Sequence, residues 1–199
     1  SEAINANKTS VALSPQDVEA HTNLGNTLKE LGRLEEAEAS YTQAIKLKPD
    51  YAEAHYNLAI TFKELGRPDE AEASYTQAIK LKPDYAQAYN NLGVILQELG
   101  RLEEAEASYT QAIKLQPDYA EAHTNLGMVL NAMGLPESAL MHFERNLQLK
   151  RGTTPLNLEH KSFLQTSKAK IDHDIEQFEY LAASGYEIKR FDELAALYR

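Results

Sequence analysis

The feature that most constrains this chain is a repeat. Residues 30–47, ELGRLEEAEASYTQAIKL, return unchanged at 98–115, and residues 64–81 between them read ELGRPDEAEASYTQAIKL. The pair Leu24-Gly25 comes back as Leu58-Ala59, Leu92-Gly93 and Leu126-Gly127, a period of 34 residues. A unit this short cannot bury its apolar face alone. Each copy must stack on the next, which makes the fold a linear array.

Within a unit the pattern reads as two helices. In the second unit Leu58, Phe62 and Leu65 lie on one helical face between Ala52 and Leu65. Gly66 stops that helix, since a left-handed cap costs glycine little. Pro68 and Pro136 stand where a second helix begins and a missing N–H is harmless. Ala71, Tyr75, Ala78 and Ile79 form its buried stripe, and Pro83 closes the unit. Asp50 with Glu53, and Asp118 with Glu121, are spaced as capping boxes. Asp84 is placed to cap the following helix, and Ser14-Pro15-Gln16-Asp17 to cap the first full unit. Gly25, Ala59, Gly93 and Gly127 are expected opposite Ala37, Ala71, Ala105 and Ala139, with Tyr41, Tyr75, Tyr109 and Phe143 in the larger gaps.

Leu-Gly in the first helix, Ala and an aromatic in the second, and a closing Pro, repeated four times, resemble the tetratricopeptide repeat family. The family's early Trp position carries His21, His55, Tyr89 and His123 here. The resemblance implies an all-α, right-handed superhelical solenoid of antiparallel helix pairs. The units are 18–51, 52–85, 86–119 and 120–151, preceded by a partial repeat at 1–17. After Gly152-Thr153-Thr154-Pro155 the period is lost. Amphipathic stretches at 158–184 and 189–198 are expected as capping helices for the open end of the array. They also resemble connectors to iron/2-oxoglutarate oxygenase domains, which raises an alternative: a recruitment or oligomerisation region of a larger enzyme, such as an oxygenase or glycosyltransferase. Self-association through the repeat ends is a third expectation, because an exposed end resembles an internal interface.

Composition argues against several functions. The net charge is −10, with basic residues scattered among more numerous acids, so neither nucleic acid nor an anionic membrane is an expected partner. No apolar run approaches the ~20 residues that cross a bilayer. The start of the chain has no leader pattern, and the lack of cysteine fits a reducing, cytoplasmic setting. His21, His55 and His123 share one repeat position, about 10 Å apart in stacked units, too far to share a metal. Asp172-His173-Asp174 points to different faces of a helix. The tandem acids Glu35-Glu36 and Glu103-Glu104 suit a helix start. With no phosphate loop, nucleophile elbow or zinc-helix motif, neither enzymatic activity nor a metal or cofactor is expected.

The resemblance also implies where binding occurs. In the family first helices line a concave groove, and every unit carries Asn at one position between packing residues: Asn23, Asn57, Asn91 and Asn125. They resemble the asparagine ladder of O-linked N-acetylglucosamine transferase. A carboxamide offers donors and an acceptor, so it grips a peptide backbone whatever the side chains. Beside the ladder lie Thr22, Tyr56, Asn90 and Thr124. Tyr56 is expected as a lone groove aromatic for proline or an apolar side chain. Glu19, Glu53, Gln87 and Glu121 are expected on one rim, with Lys29 and Lys63 on the other. Some family members clamp a C-terminal carboxylate with Lys and Arg near the ladder, whereas Thr, Tyr, Asn and Glu stand there in this chain. The expected partner is therefore a protein offering a neutral or basic extended segment.

Overall fold

In the computed structural model of the protein, residues 2–150 are described. They form helices α1 (Glu2–Leu13), α2 (Val18–Glu30), α3 (Leu34–Leu47), α4 (Ala52–Glu64), α5 (Pro68–Leu81), α6 (Ala86–Glu98), α7 (Leu102–Leu115), α8 (Ala120–Ala132) and α9 (Pro136–Lys150). No strand occurs among the described residues. The stretches expected as helices at 158–184 and 189–198, with His173 and its flanking acids, lie outside them.

Each unit is a hairpin: α2 packs on α3, α4 on α5, α6 on α7 and α8 on α9. The turn inside each hairpin follows from one glycine. In the first unit the Gly32 N–H donates to Lys29 O and the Arg33 N–H to Leu28 O, both at 2.9 Å. This doubly bonded helix end requires positive φ at the residue after the cap, and Gly32 has φ 70°. The same turn recurs at Gly66, Gly100 and Gly134.

Helix starts differ from the expected capping boxes. Asp17 does cap α2, accepting from the N–H groups of Glu19 (2.9 Å) and Ala20 (3.2 Å). In the next three units Tyr51, Tyr85 and Tyr119 occupy the cap position, and no side chain caps α4, α6 or α8. Asp50, Asp84 and Asp118 fall one residue too early for that role. The tyrosines give up a cap bond, worth about 1 kcal/mol, and place an aromatic ring at each junction instead.

The core runs along the hairpins. Tyr41, Tyr75 and Tyr109 are fully buried together with Ala37, Ala71 and Ala105. Leu92 packs against both the cluster around Tyr41 and Tyr75 and the cluster around Tyr109 and Leu126, so apolar contact is continuous along the units. The aromatic rings sit directly against the small residues of the first helices. A Cβ built on Gly25, Gly93 or Gly127 would lie 2.6 Å from Cε1 of Tyr41, Tyr109 or Phe143. The small residue of the first helix therefore seats the aromatic ring of the second.

First and second helices form separate layers. Among like helices, the closest approaches are those of α2 with α4 and α6 with α8, all first helices. The cross-links agree. Second helices are joined by long side chains: Arg67 reaches Glu38 and Arg101 reaches Glu72, each at 2.7 Å, while also pairing with Glu70 and Glu104 of their own helices. In mid-helix, first helices are joined by short side chains, with Asn125 Nδ2 donating to Asn90 Oδ1 at 3.0 Å, while Lys63 and Glu98 pair at the helix ends. A layer bridged by short groups is the inner layer of a curved stack. The array is an all-α repeat solenoid with its first helices on the concave side.

Candidate functional site

The inner layer is lined by α2, α4, α6 and α8, and each ladder position falls in mid-helix. Asn23 is exposed, Asn91 half-buried, and Asn57 and Asn125 are each 9 % exposed. Register explains the difference. Because neighbouring first helices are offset, the ladder residue of one unit meets the residue preceding the ladder in the unit before. Asn91 Nδ2 donates to the Tyr56 hydroxyl at 3.1 Å, and Asn125 Nδ2 to Asn90 Oδ1. Asn90 in turn donates from Nδ2 to Asn91 Oδ1 and Glu121 Oε1, both at 3.3 Å.

The inner face thus carries a connected network: Asn125, Asn90, Asn91 and Tyr56, with Glu121 at its edge. Asn90 is completely covered, so its part is to orient its neighbours rather than to touch a ligand. Asn57 makes no side-chain hydrogen bond, and its carboxamide still reaches solvent. At the N-terminal end Asn7 of α1 donates to Thr27 Oγ1 at 2.8 Å and to the Asn23 carbonyl at 3.3 Å.

Tyr56 does not stand alone, as its sequence position suggested. Its ring lies 4.7 Å from that of Tyr85 and 5.8 Å, edge-on, from that of Tyr75. Burial raises the pKa of all three phenols, and burial with the nearby Glu121 carboxylate pushes Tyr119 up to about 12. These hydroxyls stay protonated at neutral pH and remain hydrogen-bonding groups. The junction tyrosines were missed as functional candidates. Their recurrence at 51, 85 and 119 was the available signal.

Charge on the inner layer is mainly acidic. Glu19, Glu53 and Glu121 are exposed at the helix starts, and Glu30, Glu64 and Glu98 at the ends. Lys63 pairs with Glu98 at 3.5 Å, and Lys29 is half-buried. A shallow cleft of about 250 Å³ lies beside that pair, floored by Pro68, Ile95 and Leu99.

The histidines at the shared position serve packing. Nε2 of His21, His55 and His123 each faces a proline carbonyl of the preceding turn at 3.0–3.1 Å. His123 has a second partner peculiar to its unit: its Nδ1 lies 3.1 Å from Nδ1 of His142, where the other units carry Ser40, Ser74 and Ser108. Burial, and then the neighbouring His123, depress the His142 pKa. The unfolded chain therefore binds more protons than the folded one on the acid side of the ordinary histidine value of about 6.5. Stability is complete above that pH and declines as pH falls through it. The melting temperature is expected to drop between about pH 7.5 and pH 5.5, and to drop less in His142→Ser. Equal drops in both proteins would remove His142 from the account.

Family models of tetratricopeptide repeats match the chain at residues 6–39 and 56–109, and a TPR repeat model matches at 25–66 and 95–134. No curated protein matches. Among solved structures the chain is similar to MamA, at 27 % identity and TM-score 0.70 over 74 % of this chain and 86 % of that one. It is similar to PilF of Pseudomonas aeruginosa, at 29 % identity and TM-score 0.64 over 86 % and 78 %. It is also similar to the first TPR of Spaghetti (RPAP3) bound to the HSP90 peptide SRMEEVD, at 27 % identity and TM-score 0.59 over 60 % and 94 %. No described helix is long and apolar enough to cross a membrane.

Proposed function

Since the chain belongs to the tetratricopeptide repeat family, we propose that it is a non-catalytic scaffold that binds an extended segment of another protein along its first-helix layer. The observation that carries this reading is the row of carboxamides on that layer. Asn23 and Asn57 have carboxamides open to solvent, and the Asn90 network holds Asn91 and Asn125 in fixed orientations. Spaced, pre-oriented amides suit the alternating N–H and C=O groups of an extended backbone. Holding them in advance lowers the entropy lost on binding.

The structural relative with a peptide bound supports a peptide as ligand, and its differences indicate which kind. The HSP90 peptide held by Spaghetti ends in acidic residues. The inner layer of this chain sets six exposed glutamates against Lys29 and Lys63. Like charges facing a ligand are repelled, so the segment is neutral or basic.

Peptide arrays test the reading. Replacing Asn23, Asn57, Asn91 and Asn125 together by alanine is expected to abolish most of the signal from peptides that bind the wild type. Unchanged binding together with unchanged stability would contradict it.

A further inference from the structure

The first-helix junctions repeat one local arrangement and break it once. Lys48 Nζ lies over the Tyr51 ring, 5.3 Å from its centroid, and Lys82 Nζ over the Tyr85 ring at 4.6 Å. Each lysine stands three residues before its tyrosine, in the turn leading to a first helix. A lysine ammonium at this distance is drawn to the negative face of the ring. At the next junction, which leads into α8, the tyrosine is kept as Tyr119, but Gln116 takes the place of the lysine. Tyr119 is half-buried, like Tyr51 and Tyr85, so its ring holds the same kind of position, with no cation over it among the described residues.

The surroundings add charge. Tyr119 caps α8 two residues before Glu121, an exposed carboxylate that accepts from Asn90. Asp118 beside it is also exposed. The Tyr119 hydroxyl is electrostatically coupled to Glu121 and to Tyr56, so the ring borders the carboxamide network. An aromatic face next to carboxylates, in a place where two sister units seat a lysine, favours a cation.

We propose that the Tyr119 ring, flanked by Glu121, is a seat for a lysine or arginine side chain of the bound segment. The seat rests on the reading of the first-helix layer as a peptide groove and gives that groove a position of specificity. The two upper units fill their seats internally and leave one for the partner.

The test uses two labelled peptides in a serine-alanine background, one with a single central lysine and the other with glutamine in its place. Fluorescence anisotropy with the whole protein is expected to show the lysine peptide binding about five- to tenfold more tightly, as a partly desolvated cation–π contact allows. Gln116→Lys, which restores the residue of the sister units, is expected to remove that preference with an unchanged melting temperature. Asn131→Lys adds the same charge at the other end of α8, where units one and two carry lysine, and is expected to keep the preference. A lysine preference that persists in Gln116→Lys, or that disappears equally in Asn131→Lys, overturns the seat while leaving the groove. Equal binding of both peptides to the wild type also overturns the seat alone. Failure of both peptides to bind overturns the seat and the groove together.

Discussion

Tyr109→Ala is expected to destabilise the array by about 3–5 kcal/mol, the range for removing a buried large aromatic. Tyr109 is fully buried between α6 and α7, over Gly93, and its hydroxyl donates to Gln97 at 3.1 Å. Truncation removes the ring that fills the hairpin and leaves a cavity bounded by two helices that cannot simply close. Tyr109→Phe removes only the hydroxyl and its bond, a loss of about 1 kcal/mol. Phe143 at the equivalent place in the fourth unit shows that the bare ring is tolerated. Denaturant unfolding followed by circular dichroism separates the two variants. Similar midpoints for alanine and phenylalanine would show that the ring is not what holds the hairpin together. Because neighbouring units supply each other's interfaces, the alanine variant is also expected to broaden the transition, with the third unit opening first.

Gly93→Val is expected to cost about 3 kcal/mol, near the upper end for overpacking. A Cβ at Gly93 already meets Tyr109 Cε1 at 2.6 Å and Cδ1 at 2.8 Å. Valine adds two methyl groups whose positions a helix restricts to nearly one rotamer, so the ring has to move out of its site. The second unit sets the scale. Ala59 stands at the matching position there and packs, fully buried, with Tyr75. One methyl group is therefore compatible with the hairpin, and Gly93→Ala is expected to cost clearly less than Gly93→Val. Helix propensity favours alanine over glycine, so equal losses for the two would mean that the added methyl groups of valine do not meet the ring.

The contrast between these sites shows what the sequence could disclose. A first helix predicted from Ala52 to Leu65 is found at Ala52–Glu64, and the second begins at Pro68 as expected. Both limits depend on local chemistry: apolar spacing, a glycine that accepts positive φ, a proline at the first turn. Contacts between elements were less legible. Gly93 and Tyr109 both stood out, but how closely the ring lies over the glycine depends on the crossing of the two helices, which local pattern does not specify. The capping boxes failed for a related reason. Asp50 and Glu53 have the right spacing, yet the helix starts one residue later, at the repeat position that Asp17 caps in the first unit and Tyr51 occupies here.

The site was legible as a row and not as a network. Asn23, Asn57, Asn91 and Asn125 were visible as one recurring residue, but recurrence cannot tell a free amide from a bonded one. The bonds that hold Asn91 and Asn125 each join residues 35 apart. They depend on the stagger of stacked helices and on departures from the repeat at Tyr56 and Asn90. Where units are identical the chain explains its own stacking. Of the departures, Tyr56 and Asn90 lie on the inner layer, Gln116 at the junction leading into α8 and His142 in the last unit.

Titration of an array-selected peptide against three proteins decides whether the first-helix layer binds an extended segment. The wild type sets the affinity. The variant with Asn23, Asn57, Asn91 and Asn125 changed to alanine is expected to bind at least about tenfold more weakly, the equivalent of one or two net hydrogen bonds. The variant with Ala39, Ala73 and Ala107 changed to asparagine alters exposed positions of the second helices and is expected to bind like the wild type. Loss of affinity in the second-helix variant, with the four-alanine protein binding normally, would place the ligand on the opposite face and contradict the account.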